Sequence, residues 1–248
     1  MTLRLLSYNI CRGGRGREVL LARVIRACAP DLVVFQESTD PAVVERLAGL
    51  TGMEGWGAKS RESLGFIARR PVQHAAWRRP RVSRHAFLEI VPAGSDEPVF
   101  GVHLSAVHAA WTERRRGLEI RALLRSIRDG GHGFHLLAGD FNTLAPGELL
   151  NIRKLPHRLR ALVWLSGGRV RWRTIQTVFD AGYADAFRRL HPDDTGLTFP
   201  TWDPHVRLDY LFVPQGAASR VIACDVVTSN GAASASDHFP LLSVVEGS

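Results

Sequence analysis

An acid and an amide follow an apolar run near the middle of the chain. The run at 136–138 ends at Gly139, after which Asp140 and Asn142 lie two residues apart. In an extended strand, residues i and i+2 point to the same side, so both side chains are expected on one side, with Phe141 turned inward. A carboxylate beside an amide suits a hard cation or a water under deprotonation. An Asx turn that ends the strand is the alternative interpretation.

Similar polar residues follow other apolar runs, at positions predicted to be strand ends. Their donors are oxygen and imidazole nitrogen, with no thiol among them, which favours Mg²⁺ or Mn²⁺ as the cofactor. Because functional groups collect on loops at the ends of a rigid sheet, six such positions predict one shared site. The positions are Asn9, Glu37, His103, Asp140 with Asn142, Asp209, and Asp237 with His238.

Hydrophobic periodicity predicts the elements that position these residues. The predicted helices are 17–29, 41–50, 112–128 and 181–190. The predicted strands are 3–9, 32–35, 64–68, 72–77, 86–91, 99–105, 134–138, 206–213, 221–228 and 241–245. This order predicts a mixed α/β sheet covered by helices. No linker is long enough to divide the chain, so we expect a single domain over residues 1–248.

The charge balance favours a polyanionic partner. The 248 residues carry 32 Lys+Arg against 24 Asp+Glu, a net charge of +8, which attracts polyanions at long range. Lys59 and Lys154 are the only lysines, and such an arginine bias can also come from a GC-rich genome.

Cysteine usage and the absence of targeting signals bear on location. The three cysteines, Cys11, Cys28 and Cys224, have no metal-binding spacing and are expected to be reduced, as in the cytoplasm. No signal peptide is evident, and no apolar run is long enough to span a bilayer. We therefore expect a cytoplasmic monomer.

A basic insertion at about 149–179 contains no Asp or Glu. Its arginines, with Trp164 and Trp172 between them, suit phosphate contacts and stacking on bases. A shallow membrane contact or an ordinary solvated helix pair would fit the same composition. We expect Arg169, Arg171 and Arg173 to bind substrate.

Taken together, the motifs resemble those of the endonuclease/exonuclease/phosphatase superfamily. The matching segments are Asn9, Gln36-Glu37, His103-Leu104, Gly139-Asp140-Phe141-Asn142, Arg207-Leu208-Asp209-Tyr210 and Ser236-Asp237-His238, in family order. The resemblance implies a DNase I-like four-layer α/β sandwich, with two mixed β-sheets packed face to face and helices outside. It also implies a metal-dependent hydrolase acting on phosphate esters.

The resemblance implies a role for each matched residue. Asn9, Glu37 and Asp237 match the metal side of the site. Asp140 matches the residue that orients or deprotonates the attacking water, and Asn142 matches its partner. His238 matches the histidine that contacts the scissile phosphate, and Asp209 matches the acid that orients this histidine. His103 matches a histidine that recurs in DNase I-like and phosphatase-like members. Substrate binding is expected for Arg207.

The substrate is expected to be a nucleic acid phosphodiester, because of the net charge and the basic insertion. Exonuclease III-like members carry a tyrosine motif where this chain has His103-Leu104-Ser105, which argues against an abasic-site endonuclease. That pattern leaves open a phospholipid, an inositol phosphate or a 5′-tyrosyl-DNA substrate. A catalytically inactive scaffold that binds polyanions is the non-enzymatic alternative.

Overall fold

The computed structural model describes residues 2–106, 110–148, 150–154, 157, 160, 161, 164 and 172–247. Their strands are β1 (Thr2–Asn9), β2 (Leu32–Gln36), β3 (Gly55–Ala58), β4 (Leu64–Ala68), β5 (His74–Arg78), β6 (Phe87–Val91), β7 (Val99–His103), β8 (Leu136–Asp140), β9 (Tyr183–Asp185), β10 (Asp209–Pro214), β11 (Val221–Val226) and β12 (Leu241–Glu246). Their α-helices are α1 (Glu18–Cys28), α2 (Pro41–Thr51), α3 (Ala110–Asp129), α4 (Thr174–Asp180), α5 (Ala186–Leu190) and α6 (Ala232–Ala235).

The strands form two six-stranded mixed sheets. The first sheet has the order β11-β12-β1-β2-β4-β3, and the second has the order β5-β6-β7-β8-β10-β9. In each sheet one central pair is parallel, β1 with β2 and β7 with β8, and the other pairs are antiparallel. Strands that are buried on both faces read as continuous apolar runs, and β2 is the clearest example.

Three apolar layers hold the sheets and helices together. Val34 and Phe66 of the first sheet meet Leu88 and Leu211 of the second in the central layer. The α1 and α2 helices pack on the outside of the first sheet, and α3 and α4 pack on the outside of the second. This arrangement confirms the predicted four-layer α/β sandwich.

Most predicted elements were found, but the helix predicted at 181–190 is present only over Ala186–Leu190. Gly182 has φ +85° and separates α4 from β9, which pairs with β10 at the sheet edge. Helix α5 begins only after Asp185, whose side chain accepts a hydrogen bond from the Arg188 amide and so caps the helix. Strand β3 and helices α4 and α6 were not predicted.

Candidate active site

Asp140 lies at the centre of a hydrogen-bonded cluster where the ends of the two sheets meet. Its side chain is 2% exposed. One oxygen, Oδ2, accepts from Asn9 Nδ2 and Asn142 Nδ2, each at 3.0 Å, and Oδ1 accepts from the Asn142 amide at 2.8 Å. A carboxylate offers about four acceptor positions, so Oδ1 retains one for a water. Asn9 belongs to the first sheet and Asp140 to the second, so this contact joins the sheets.

Strand register explains why the other polar residues surround Asp140. In the second sheet, His103 of β7 and Asp209 of β10 are both the direct partners of Asp140 in β8. Residues in register across adjacent strands point to the same face. Because β7 and β8 are parallel, their carboxyl ends meet at the same edge, where His103 and Asp140 end their strands.

Asn142 departs from the strand geometry that the sequence predicted. It lies two residues beyond the end of β8, with φ +52°, and its side chain folds back to Asp140 and to the Leu104 carbonyl, at 3.2 Å. The bond from the Asn142 amide to the Asp140 side chain is an Asx turn. The functional pair and the Asx turn are therefore both present, since the turn itself brings the Asn142 amide group to the Asp140 carboxylate. Phe141 is buried, as predicted.

His238 and Asp209 form a buried pair next to Asp140. Asp209 Oδ2 lies 2.9 Å from His238 Nδ1, and His238 Nε2 lies 3.9 Å from Asp140 Oδ2. Burial alone lowers the pKa of His238, but the Asp209 carboxylate, with Asp140 and Asp237, outweighs it and raises that pKa to about 10. Burial raises the pKa of Asp140 to about 7, with Asp209 adding to the rise and His238 opposing it.

The side of the site formed by the first sheet carries Asn9, Glu37 and Asp237. Glu37 follows β2 with φ +57°, and Glu37 Oε1 lies 3.4 Å from Asn9 Nδ2. Burial raises the pKa of the Cys11 thiol to about 11, and the carboxylates of Asp237 and Glu37 raise it further. Both carboxylates therefore act on the Cys11 thiol.

His103 stacks on a histidine that the sequence interpretation left as surface or structural. The rings of His85 and His103 are 4.7 Å apart and inclined by 17°, and His103 Nε2 lies 4.0 Å from Asp140 Oδ2. Burial lowers the pKa of His103 to about 3, with His85 and His238 adding to the fall. His85 lies in the connection before β6 rather than at a strand end, and it matches no motif. Only its place in that connection could have suggested this contact.

Four arginines were predicted to bind substrate, and the structure describes two of them, Arg207 and Arg173. Arg207 is 2% exposed, and its guanidinium lies 2.7 Å from Glu148 and 2.6 Å from Asp185. Both carboxylates enclose the Arg207 guanidinium inside the protein, which argues against the predicted contact with substrate. Arg173 lies at the start of α4, where its amide donates to Glu113 at 2.7 Å. Arg169 and Arg171 lie outside the described residues.

Two further findings concern ligands and membranes. In the described part of the chain, no group of three or more His, Cys, Asp and Glu side chains is arranged to hold a metal ion, and no helix is long and apolar enough to cross a membrane. A cleft of about 610 Å³ opens at the other end of the sandwich, between Leu3, Leu32 and Phe134. None of the site residues described above lines this cleft.

Comparison with known proteins identifies the family. A model described as the Endonuclease/Exonuclease/phosphatase family matches residues 6–238, a span that includes every residue of the cluster from Asn9 to His238. The chain belongs to the endonuclease/exonuclease/phosphatase family. Members of this family are hydrolases that act on phosphate esters. A search of curated proteins found no match.

Solved structures of similar fold include a 3′ phosphatase, an AP endonuclease and TDP2. A 3′ phosphatase named NExo from Neisseria, bound to a product DNA hairpin, is 18% identical with a TM-score of 0.73, covering 98% of this chain and 99% of its own. An AP endonuclease from Archaeoglobus fulgidus is 17% identical with a TM-score of 0.72, covering 98% and 99%. A truncated TDP2 from Caenorhabditis elegans is 16% identical with a TM-score of 0.67, covering 99% and 98%. At these identities the likeness concerns the fold shared by the endonuclease/exonuclease/phosphatase family.

Proposed function

We propose that this protein is a divalent-metal-dependent phosphodiesterase that cleaves nucleic acid. One observation carries the proposal: a buried carboxyl, Asp140, has a free acceptor position between the His238–Asp209 pair and the carboxylate side of the site. A scaffold that only binds polyanions has no use for a carboxyl of near-neutral pKa among histidines. General bases are most effective when their pKa lies near the working pH.

The residues on the first sheet fit a hard divalent cation. Asn9, Glu37 and Asp237 offer oxygen donors only, and Mg²⁺ is commonly held by one or two carboxylates while it keeps several waters. The groups that are absent among the described residues contain at least three His, Cys, Asp or Glu side chains. The set proposed here contains only two of these, Glu37 and Asp237, together with the amide of Asn9. When bound, the cation would offset charge on the phosphate oxygens as a Lewis acid. Either Mg²⁺ or Mn²⁺ would suit these donors.

The remaining residues would act on the water and the phosphate. Asp140 takes a proton from the attacking water, whose oxygen forms a bond to phosphorus as the bond to the leaving oxygen breaks. Asn142 and Asn9 hold the Asp140 carboxyl in position through their amide groups. His238, kept protonated by Asp209, donates to a non-bridging phosphate oxygen. His103, whose lowered pKa keeps it neutral, can accept or donate a hydrogen bond there.

An exposed tryptophan beside the site favours nucleic acid over a small phosphoester. Phe199 packs on the ring of His238 at 4.7 Å, and Trp202 meets Phe199 at 6.4 Å with 74% of its surface exposed. Exposed aromatic rings beside a cleavage site provide stacking surfaces for bases. Lys154, at the start of the basic insertion, pairs with Asp203 at 2.7 Å. Lys154 therefore lies beside the segment that carries Trp202, which supports a substrate contact by this part of the insertion.

The direct test is hydrolysis of bis-p-nitrophenyl phosphate and of plasmid DNA with Mg²⁺, with Mn²⁺ and with a chelator. We expect metal-dependent turnover that falls ~10²–10⁴-fold in Asp140→Asn and His238→Ala, as for loss of a general base or a phosphate contact. His74→Ala is the matched control, since His74 is exposed on β5. Turnover that is indifferent to the chelator would contradict the metal requirement.

The substrate is tested by a parallel screen of single- and double-stranded DNA, RNA, a 5′-tyrosyl phosphodiester, sphingomyelin and inositol phosphates. We expect the highest kcat/KM on a nucleic acid. Preference for a lipid or inositol phosphate would replace the nucleic acid proposal while leaving the phosphoesterase intact. Binding of DNA without turnover of any substrate would instead support an inactive scaffold.

A further inference from the structure

The outward face of α3 is rich in arginine and carries no exposed glutamate. Two exposed apolar side chains lie on it, Trp111 at 53% and Leu118 at 48% exposure. The other large exposed side chains of the helix are Arg114, Arg115, Arg121, Arg125 and Arg128. We call these seven residues the α3 face. Both glutamates of α3, Glu113 and Glu119, are buried on the opposite side, so the α3 face carries a charge of +5 with only Asp129 at its end.

A general arginine bias of the chain does not explain this concentration. Helices α1 and α2, on the outside of the first sheet, provide an internal comparison. Exposed arginines number five in the twenty residues of α3, against three in the twenty-two residues of α1 and α2 together, and in α2 Arg46 lies next to the exposed Glu45. A compositional bias would act on all three helices alike, whereas α3 alone combines five exposed arginines with two exposed apolar side chains.

The α3 face begins at the catalytic edge of the second sheet. Glu113 accepts a hydrogen bond from Thr143 Oγ1 at 2.9 Å, and Thr143 follows Asn142 directly. Arg116 donates to the carbonyl of Ser105 at 2.7 Å, two residues after His103. The first turns of α3 are thus fixed to the two strand ends that carry His103 and Asp140. The remainder of the helix runs away from the site for most of its ~30 Å length.

The arginines are spaced along the helix rather than clustered at one point. Arg114, Arg121 and Arg128 are seven residues apart, which places them on one side of the helix at intervals of ~10 Å. Arg115 lies 4.0 Å from Glu119, and Arg128 lies 3.5 Å from Asp129. Within the described residues, no carboxylate lies within ion-pair distance of Arg114, Arg121 or Arg125. Their charges are therefore available to a ligand.

We propose that the α3 face binds the phosphates of a nucleic acid strand that extends beyond the active site, which rests on the function proposed above. A row of cations complements a row of phosphates, and its start at the catalytic edge allows one strand to occupy both. A membrane surface is the less favoured partner, because an interfacial helix needs a broad apolar face, and here only Trp111 and Leu118 are apolar. Trp111, nearest the site, would stack on an unpaired base.

The test compares two triple variants with the same change in charge. Arg114→Ala, Arg121→Ala and Arg125→Ala alter the α3 face, and Arg23→Ala, Arg26→Ala and Arg46→Ala alter the opposite helical layer as the control. Binding of a fluorescent 30-nucleotide DNA is measured by anisotropy in chelator at several salt concentrations, and bis-p-nitrophenyl phosphate turnover is measured in parallel. Circular dichroism establishes that both variants are folded.

For the α3 variant we expect binding at least tenfold weaker, with the slope of log K against log salt smaller by about 2–3, because three phosphate contacts are lost. Its turnover of the small diester should equal that of the wild type, and the control should keep the wild-type slope. Equal losses in both variants would indicate long-range charge alone and overturn the proposal.

Two other outcomes also decide against the α3 face. Unchanged DNA binding by the α3 variant would overturn the proposal. The proposal would also be overturned if the α3 variant lost binding to phosphatidylserine vesicles while its DNA binding stayed intact, since that result assigns the α3 face to a membrane. Failure of the wild type to hydrolyse the small diester would instead refute the proposed function, and the binding measurement does not depend on it.

Discussion

At the scale of single residues, the His238–Asp209 pair sets the charge of the site. Asp209 Oδ2 contacts His238 Nδ1, and among described residues the other oxygen, Oδ1, has no hydrogen-bond partner. The pair is buried, so removing one partner leaves the other without compensation. Because the pKa of His238 is raised to about 10, the pair should also make stability depend on pH.

Asp209→Asn should therefore destabilise the protein most at low pH. The folded pKa of His238 exceeds the ~6.5 of an unfolded histidine, so the contribution of Asp209 is fully present below pH 6.5 and is lost as the pH rises to about 10. We expect a loss of about 3 kcal/mol in unfolding free energy at pH 6, narrowing towards pH 10. Urea unfolding of the wild type and the variant, in the presence of chelator, measures this loss of unfolding free energy at each pH.

The control for this experiment is Asp225→Asn, which removes an exposed histidine–aspartate pair. Asp225 lies 3.1 Å from His191, and both side chains are at least one-third exposed. Such pairs contribute about 0–1 kcal/mol, so the control should change little at either pH. A loss in Asp209→Asn that stays the same from pH 6 to pH 10 would contradict the electrostatic account.

His85 should act through the position of His103. The Nδ1 of His103 is buried without a hydrogen-bond partner among the described residues, so the stack with His85 is a main constraint on the ring. We expect His85→Phe, which keeps a stacked ring, to retain kcat on bis-p-nitrophenyl phosphate. His85→Ala should lower kcat about tenfold with KM little changed, since small displacements of catalytic groups are costly. Equal kcat in the two variants would argue against a positioning role.

The sequence allowed the strand-end residues to be predicted but not their side-chain neighbours. Asp140, Asn142, Asp209 and His238 follow or begin apolar runs, so pattern and motif both located them. The His85 stack joins a connecting segment to a strand end through tertiary packing, which no local pattern records. Arg207 belongs to a matching motif, yet its burial depends on Glu148 and Asp185, which are distant in sequence.

At the scale of elements, the parallel pairing of β7 and β8 depends on Gly139. This residue has φ +154°, and a Cβ there would lie 1.9 Å from the Val102 carbonyl oxygen. Backbone atoms in a sheet cannot move aside as a flexible side chain can. Close approach of β7 to β8 therefore requires glycine at this position, which places Asp140 opposite His103.

Gly139→Ala should destabilise the fold by about 3 kcal/mol or more, because it combines a steric clash with backbone strain. Turnover should fall by more than the loss of folded protein explains, since Asp140 is the next residue. Gly216→Ala is the control, because nothing lies within 4 Å of its Cβ position and its φ is not in the strained range. Urea midpoints and bis-p-nitrophenyl phosphate turnover measure both effects, and a Gly139→Ala variant as stable as the control would refute this account of β8.

Elements with strong periodicity were predicted closely, and short ones were not. Helix α3 and strand β4 follow clear patterns, and β4 has the predicted bounds. The failure at 181–190 has a physical cause: β9 is three residues long and exists because it pairs with β10. Such edge strands take their conformation from tertiary pairing rather than from local propensity.

At the scale of the whole molecule, the two sheets bring acids from distant parts of the chain to one end. Glu37 and Asp237 lie on the first sheet's side, and Asp140 and Asp209 lie on the second's. Among the contacts described above, the Asn9 bond to Asp140 and the His238 contact with Asp209 join the two sides directly. Gathering four acids at one end opposes folding unless protons, histidines or a cation offset their charge.

A bound cation should therefore stabilise the whole fold, independently of turnover. A ligand that binds only the native state raises the free energy of unfolding by RT ln(1 + [L]/Kd). We expect Mg²⁺ or Mn²⁺ to raise the Tm measured by differential scanning calorimetry, and a chelator to reverse the rise. Glu37→Gln should lose most of this increase, because it removes a carboxylate from the proposed metal side while keeping the shape of the side chain. The control is Glu45→Gln on the exposed face of α2, which should respond to the metal as the wild type does. Equal increases in the two variants would mean that the cation binds elsewhere, and that Glu37 serves the fold through its hydrogen bond with the Arg12 amide.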